Sequence, residues 1–310
     1  MASITIIGPG AIGGTVAAWL AQDKANEVAV CVRTPFSELI VDTPGGRIVA
    51  APKIFSSPQQ GAMQSGSSRQ GAQLGSPQQV SGADWVLIAT KTYDVAGTVA
   101  WLPKLIGPHT RVAILQNGVE HIERFSPYVD PAVLVPVVVD LPAERSEPGR
   151  IWQRGQGFLF VPEGGNGRDF VRLFGHTPLS VNTTPDFKSR AWRKLALNCV
   201  GAVPAVLLKT VDINRHEEIV DVYRQLIWEC VGVGRAEGAV LGDTLEDEII
   251  AGCRKSPVNS INSLHADRLA GRPMEIDARN GAVVRIGGRH GIETPVNQLM
   301  VALLKATVSE

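Results

Sequence analysis

The sequence predicts an α/β chain, with a sheet-based first half followed by an all-helical second half. Three observations carry this. Short, continuously apolar runs recur as far as Val161, a glycine-rich turn follows the first of them, and beyond Ser180 the apolar residues return at helical rather than strand spacing.

Ile4-Thr5-Ile6-Ile7 is β-branched and reads as the first strand, closed by Gly8-Pro9-Gly10. The small-residue stretch from Ala11 to Leu20 reads as a helix, and Glu27 to Arg33 as a second strand, which together make a βαβ unit. Trp85 to Ala89 and Arg111 to Leu115 are buried-strand runs of the kind found in a parallel sheet covered on both faces. Val133 to Val139 and Gly157 to Val161 are expected to extend that sheet, with Pro136 confining the former to an edge or a bulge. Between Lys53 and Asp84, Ser57-Pro58-Gln59-Gln60 recurs as Ser76-Pro77-Gln78-Gln79 in a Gln/Ser/Gly-rich setting, and residues 56–82 are expected to form a mobile surface excursion. Helices are expected from Pro185 through Cys199, and over 214–236, 244–255, 258–270, 277–289 and 295–308. The domain boundary falls near residue 183, giving domains 1–183 and 184–310.

At 310 residues with 44 % apolar side chains, the chain has enough to bury for a proper core. Thirty basic residues balance thirty acidic ones, which argues against a nucleic-acid or anionic-membrane binder. The four cysteines, 31, 199, 230 and 253, have neither zinc-ligand nor CxxC spacing, so idle thiols in a reducing compartment are expected. The six histidines show no metal spacing, and no metal is expected. No apolar run approaches the roughly 18 residues of a membrane span, and the N-terminus lacks the basic region of a secretory signal. A cytoplasmic location is the expectation.

Gly8-Pro9-Gly10-Ala11-Ile12-Gly13 matches G-x-G-x-x-G directly between a strand and a helix. One glycine makes the tight turn, the next lets backbone approach a pyrophosphate, and the third lets helix and strand pack closely. The helix start, with the N–H groups of Ala11 and Ile12, offers partial positive charge to phosphate. The reading is a Rossmann dinucleotide-binding domain with a C-terminal all-helical domain. The second strand ends without the acid that accepts from an NAD ribose, and Arg33 stands 20 residues beyond Gly13. A guanidinium there suits a 2′-phosphate, so NADP (NADPH) is favoured over NAD, although an arginine at a strand end can simply be solvated. Lys91 and Asn117 close two further strands on the ligand-binding side. The lysine can reach phosphate or a substrate carboxylate, and the amide can bond ribose or substrate oxygens.

In the helical half, Lys194 and Asn198 lie one turn apart in Ala191-Trp192-Arg193-Lys194-Leu195-Ala196-Leu197-Asn198-Cys199 and share a helix face. A lone helical lysine is ordinarily solvated, and Trp192 reads as core. The glycine motif, Arg33, Thr90-Lys91, Gln116-Asn117-Gly118, the segment 192–199 and Glu275-Ile276-Asp277 with Asn280-Gly281, taken in that order along nearly the whole chain, resemble the ketopantoate reductase family. That resemblance implies a Rossmann domain and a helical domain with the active site in the cleft, NADPH as cofactor, a small 2-oxo acid as substrate and a place in pantothenate biosynthesis. It implies Lys194 as general acid, Glu275 as the carboxylate that holds the substrate hydroxyl and orients the lysine, Asn198 and Asn117 as substrate-binding amides, and Ser263 as a contact to the substrate carboxylate. It also places Gly8, Gly10, Ala11, Ile12, Gly13, Arg33, Lys91 and Asn117 at the cofactor. Ala202 stands where a second substrate-binding asparagine is implied, so another branched 2-oxo or 2-hydroxy acid stays open as substrate. Asp277 and Asn280 are expected to cap or orient the next helix, and His290 to sit at a helix stop. A homodimer is compatible with the resemblance. Two other readings remain: an NAD-dependent hydroxyacid dehydrogenase of the same family, and an NADPH-binding redox sensor without turnover.

Overall fold

In the computed structural model, which describes residues 2–58 and 82–308, the chain divides into two compact units. One comprises Met1–Gln116 and His121–Pro185, the other Asn117–Glu120 and Asp186–Glu310. Residues 59–81 of the Gln/Ser-rich stretch, and with them most of the predicted surface excursion, lie outside the described residues.

In chain order the first unit contains β1 (Ala2–Ile7), α1 (Ala11–Leu20), β2 (Asn26–Cys31), β3 (Leu39–Thr43), β4 (Gly46–Ala50), β5 (Lys53–Phe55), β6 (Trp85–Ile88), α2 (Val95–Val99), α3 (Leu102–Leu105), β7 (Arg111–Ile114), α4 (His121–Phe125), β8 (Leu134–Pro136), β9 (Val138–Asp140), β10 (Ala143–Glu147), β11 (Arg150–Gln153), β12 (Phe158–Pro162), α5 (Gly165–Leu173) and β13 (Ser180–Thr184). Among the described residues, β5-β2-β1-β6-β7-β8 form a parallel sheet in that spatial order. Both faces are covered, which explains why its strands read as unbroken apolar runs. Ile4, Ile6, Leu87 and Ala113 enter one core with Val16 and Leu20 of α1 and Phe170 of α5. Ile7, Val86, Ile88, Val112 and Ile114 point the other way, onto Leu102, Leu105 and Phe125.

Two sequence expectations need correction here. The run 133–139 is not one strand. β8 lies at the sheet edge, as Pro136 demands, and the chain then leaves at Val137 so that β9 pairs antiparallel with β12. β12 does not extend the main sheet either. It joins β9 and β13 in a three-stranded sheet of its own. A further sheet, β10-β11-β3-β4, was not expected at all.

The second unit is helical: α6 (Phe187–Val200), α7 (Ala202–Leu207), α8 (Glu217–Ala236), α9 (Leu245–Lys255), α10 (Ser263–Leu269), α11 (Asn280–Arg289) and α12 (Pro295–Ala306), with a 3₁₀ turn at Val211–Arg215 before α8. α6 starts at Phe187, two residues after the predicted proline, because Asp186 caps it by accepting from Ser189 N at 3.0 Å. α10 begins at Ser263 rather than 258. Asn262 caps it, accepting from Leu264 N and His265 N. Trp192 is core, buried against Gly234 of α8. Asn280 caps nothing. It is fully buried, and its Nδ2 donates to Cys199 O (3.2 Å) and Asn297 Oδ1 (2.9 Å), tying α11 to α6 and α12. The start of α12 is capped from a distance: Glu229 of α8, itself buried, accepts from Val296 N (2.8 Å), Asn297 N (2.9 Å) and Asn297 Nδ2 (2.7 Å).

Candidate active site

The loops that close β1, β2 and β6 emerge together at the carboxyl edge of the parallel sheet, as shown by Gly8 N donating to Cys31 O (3.1 Å) and Ala89 N to Ile7 O (2.9 Å). Gly8 has φ +84, and a Cβ there would lie 2.7 Å from Thr90 Cγ2. A Cβ on Gly13 would lie 2.5 Å from Gly8 O and 2.7 Å from Ala89 Cβ, so the third glycine is what allows α1 to sit against the strands. Gly10 differs. Apart from its chain neighbours, nothing among the described residues lies within 4 Å of a Cβ built on it, so packing does not demand glycine at this position. α1 has no side-chain N-cap and no acid in its first turn, which leaves the first-turn N–H groups of Ala11 and Ile12 for an outside acceptor. An open glycine in front of an uncapped helix start is the cradle a pyrophosphate requires, and these residues fit a dinucleotide.

Arg33 follows β2 with an 83 % exposed side chain, its Nη2 3.7 Å from Asp94 Oδ2. Lys91 opens the loop after β6 and is half-buried. Gln116, quoted from the sequence only as part of a loop motif, turns out to connect two loops: its Nε2 donates to Thr90 Oγ1 (3.1 Å), and its Oε1 accepts from Arg124 Nη1 (3.0 Å). His121 Nε2 lies 2.9 Å from Gln116 O, and burial, with Arg124 adding to it, pulls His121 down to about 4.

The helical unit gathers a second polar cluster. Asn117 belongs to this unit, and its Nδ2 donates to Glu275 Oε2 at 2.9 Å. Glu275 is 4 % exposed. The turn that follows, closed by Arg279 N and Gly281 N donating to Ile276 O, brings Arg279 back beside Glu275. Arg279 Nη2 then donates to Ser263 Oγ at 2.7 Å. Ser263 is exposed at the start of α10, and Asn262 holds that start against the end of α6 by donating to Gly201 O (3.0 Å). Lys194 and Asn198 are half-buried one turn apart on α6, and the Nδ2 atom of Asn198 is buried with no hydrogen-bond partner among the described residues. A buried amide donor left open in this way suits a ligand oxygen.

Of the predicted site residues, Asn117 and Glu275 are thus in direct contact, and Ser263 is joined to Arg279, a residue the sequence reading missed. Ala202 is not on the helix of Lys194. α6 stops at Val200, and Ala202 opens α7, fully buried. Asp277 pairs with Lys305 (3.4 Å) and caps nothing. His265 is buried with both ring nitrogens unpartnered among the described residues, and burial followed by Arg268 holds it below the usual histidine range. His290 ends α11 as expected, its Nε2 2.6 Å from Glu237 Oε1. Among the described residues no cluster of His, Cys, Asp and Glu could hold a metal ion, and no helix is long and apolar enough to cross a membrane.

The family model described as Ketopantoate reductase PanE/ApbA matches residues 4–166, and the one described as Ketopantoate reductase PanE/ApbA C terminal matches residues 186–308. The chain is 52 % identical over 306 residues to the 2-dehydropantoate 2-reductase of Caulobacter vibrioides, covering 99 % of each protein. It is 33 % identical over 304 residues to the 2-dehydropantoate 2-reductase of Mycobacterium tuberculosis, covering 98 % of this chain and 97 % of that one. Among solved structures, the PanE/ApbA family ketopantoate reductase of Ralstonia eutropha superimposes with a TM-score of 0.85 at 27 % identity, covering 98 % of both chains.

Proposed function

The chain belongs to the ketopantoate reductase family, and on that premise we propose that it catalyses the NADPH-dependent reduction of 2-dehydropantoate to (R)-pantoate. The observation that carries this reading is the full-length likeness to the Caulobacter vibrioides enzyme. Residues 1–183 are read as the NADP-binding domain and 184–310 as the substrate domain, the latter drawing in Asn117 from the loop after β7.

The glycine cradle, with the N–H groups of Ala11 and Ile12, holds the pyrophosphate. Arg33 meets the 2′-phosphate, and Lys91 adds positive charge beside it. The nicotinamide, when bound, supplies the hydride that the 2-oxo carbon accepts. As that carbon is reduced, charge develops on its oxygen, and the Lys194 ammonium stabilises this charge and delivers the proton. Glu275, held by Asn117, accepts from the substrate hydroxyl and orients the ammonium. The open Nδ2 of Asn198 donates to a substrate oxygen, and Ser263 donates to the carboxylate. We read the protein as cytoplasmic. A homodimer is its proposed assembly, supported by the exposed apolar side chains Trp228 and Leu299 on the helical unit and checked by sedimentation.

The test is NADPH oxidation against ketopantoate and a panel of straight and branched 2-oxo acids, with Lys194→Ala alongside. The wild type is expected to prefer ketopantoate, and the variant to lose about 10²–10⁴-fold in kcat while still binding NADPH. Tight NADPH binding with no turnover of any 2-oxo acid defeats the reading in favour of a sensor. Near-normal turnover in Lys194→Ala defeats the lysine assignment.

A further inference from the structure

The helical unit buries a cation to which the roles above give no task. Arg279 is 3 % exposed, and its Nε has no hydrogen-bond partner among the described residues. Burial pulls its pKa below the ordinary arginine value, while Glu275, Cys199 and Asp267 pull it back up. A guanidinium is expensive to bury, and it persists where its geometry serves neighbouring groups. Here the neighbour is Ser263, whose Oγ accepts from Arg279 Nη2 at 2.7 Å.

A serine hydroxyl carries one proton and two acceptor lone pairs. A charged donor occupying one lone pair fixes the side-chain rotamer, turns the O–H away from the arginine and polarises it, which makes it a better donor to a third group. Because Ser263 itself is exposed, that proton faces a place a small anion can reach. We propose that Arg279 is a positioning residue for the substrate carboxylate, acting through Ser263 by holding its oxygen so that the hydroxyl proton is presented to the 2-oxo acid. The inference rests on the reading of Ser263 as the carboxylate contact. It adds a specificity element: the buried charge favours substrates that bring a carboxylate to Ser263 over neutral ketones.

The test compares wild type, Ser263→Ala, Arg279→Met, Arg279→Lys and the double variant Ser263→Ala/Arg279→Met, reading kcat, the KM of the 2-oxo acid and the KM of NADPH. Arg279→Met is expected to raise the KM of the acid about tenfold, more than it lowers kcat, with the KM of NADPH unmoved. Arg279→Lys recovers part of that loss. Ser263→Ala raises the KM of the acid by a similar factor, and the double variant is no worse than the worse single one, because both act through one hydroxyl. Additive penalties, or an Arg279→Met variant whose NADPH KM rises in step, would make Arg279 a packing residue and overturn the proposal. Should Arg279→Met fail to fold, Ser263→Ala and Arg279→Lys still decide it, since an unchanged KM of the acid in either one overturns it. A wild type that reduces no 2-oxo acid removes the reading of function and this inference together, whereas an active wild type with unaffected variants removes the inference alone.

Discussion

Asn117 Nδ2 and Glu275 Oε2 lie 2.9 Å apart although 158 positions separate the two residues in the chain. The amide has crossed from the end of a sheet strand into the helical unit, where it holds one oxygen of a nearly buried carboxylate in a fixed place. Glu275→Gln keeps the shape and loses the charge, and is expected to lower kcat about 10²-fold or more with NADPH affinity intact. Asn117→Ala removes one hydrogen bond and is expected to lower kcat/KM for the acid about tenfold. Steady-state kinetics on both variants is the check, and a Glu275→Gln enzyme with normal kcat would remove the carboxylate from the chemistry.

The glycine motif separates binding from folding. Gly10→Ala puts a methyl group into open space, so thermal unfolding without cofactor is expected to shift by less than about 1 kcal/mol while the KM of NADPH rises steeply. Gly13→Ala drives a methyl group to 2.5 Å from Gly8 O, and is expected to destabilise the first unit by about 1–3 kcal/mol. Equal stability losses in the two variants would show that Gly10 is structural as well.

On the reading proposed above, Arg33 distinguishes the two nicotinamide dinucleotides. Arg33→Ala is expected to raise the KM of NADPH about 10–100-fold and to leave that of NADH nearly unchanged, as loss of a charge-assisted contact to one phosphate requires. Asp94, 3.7 Å from the guanidinium, competes for the same charge, so Asp94→Asn is expected to tighten NADPH slightly and to steepen its salt dependence. Parallel losses for both cofactors in Arg33→Ala would rule out the 2′-phosphate contact.

His121 gives the first unit a pH response. Its ring is held down to about 4 by burial, whereas the unfolded chain takes up the proton near 6.5. The unfolded state therefore binds more protons across that interval, and stability falls as pH drops from 6.5 toward 4, by about 3 kcal/mol for this one group. Denaturant midpoints measured from pH 7 to 4 on wild type and His121→Gln are expected to converge at the acid end as the histidine's contribution disappears. Parallel curves would contradict the assignment.

The parts of the fold legible in the sequence are those whose hydrogen bonds and burial are local. β1, α1, β6 and β7 announce themselves through unbroken apolar runs and a glycine turn. β10 does not: Ala143-Glu144-Arg145-Ser146-Glu147 is almost wholly polar, and it becomes a strand only because β11 pairs with it. The split at Val137 is equally silent, because leaving a sheet edge to join another sheet changes the partner and not the pattern. In the candidate site, Lys194, Asn198 and Glu275 stood in recognisable segments. Arg279 was passed over because an arginine beside a helix start ordinarily faces water, and its burial follows from Ser263 and Glu275, which reach it from other segments.

Glu229 makes the start of α12 depend on α8. The opening turn of α12 obtains its acceptors from a side chain 67 and 68 positions earlier, and Thr294, where a local cap would stand, supplies none. A peptide of residues 295–306 alone lacks those acceptors and is too short to hold a helix by itself. α12 therefore depends on α8 for the acceptors of its first turn. Damage to α8 at Glu229 would first be felt as fraying of the tail, well before the rest of the bundle gave way.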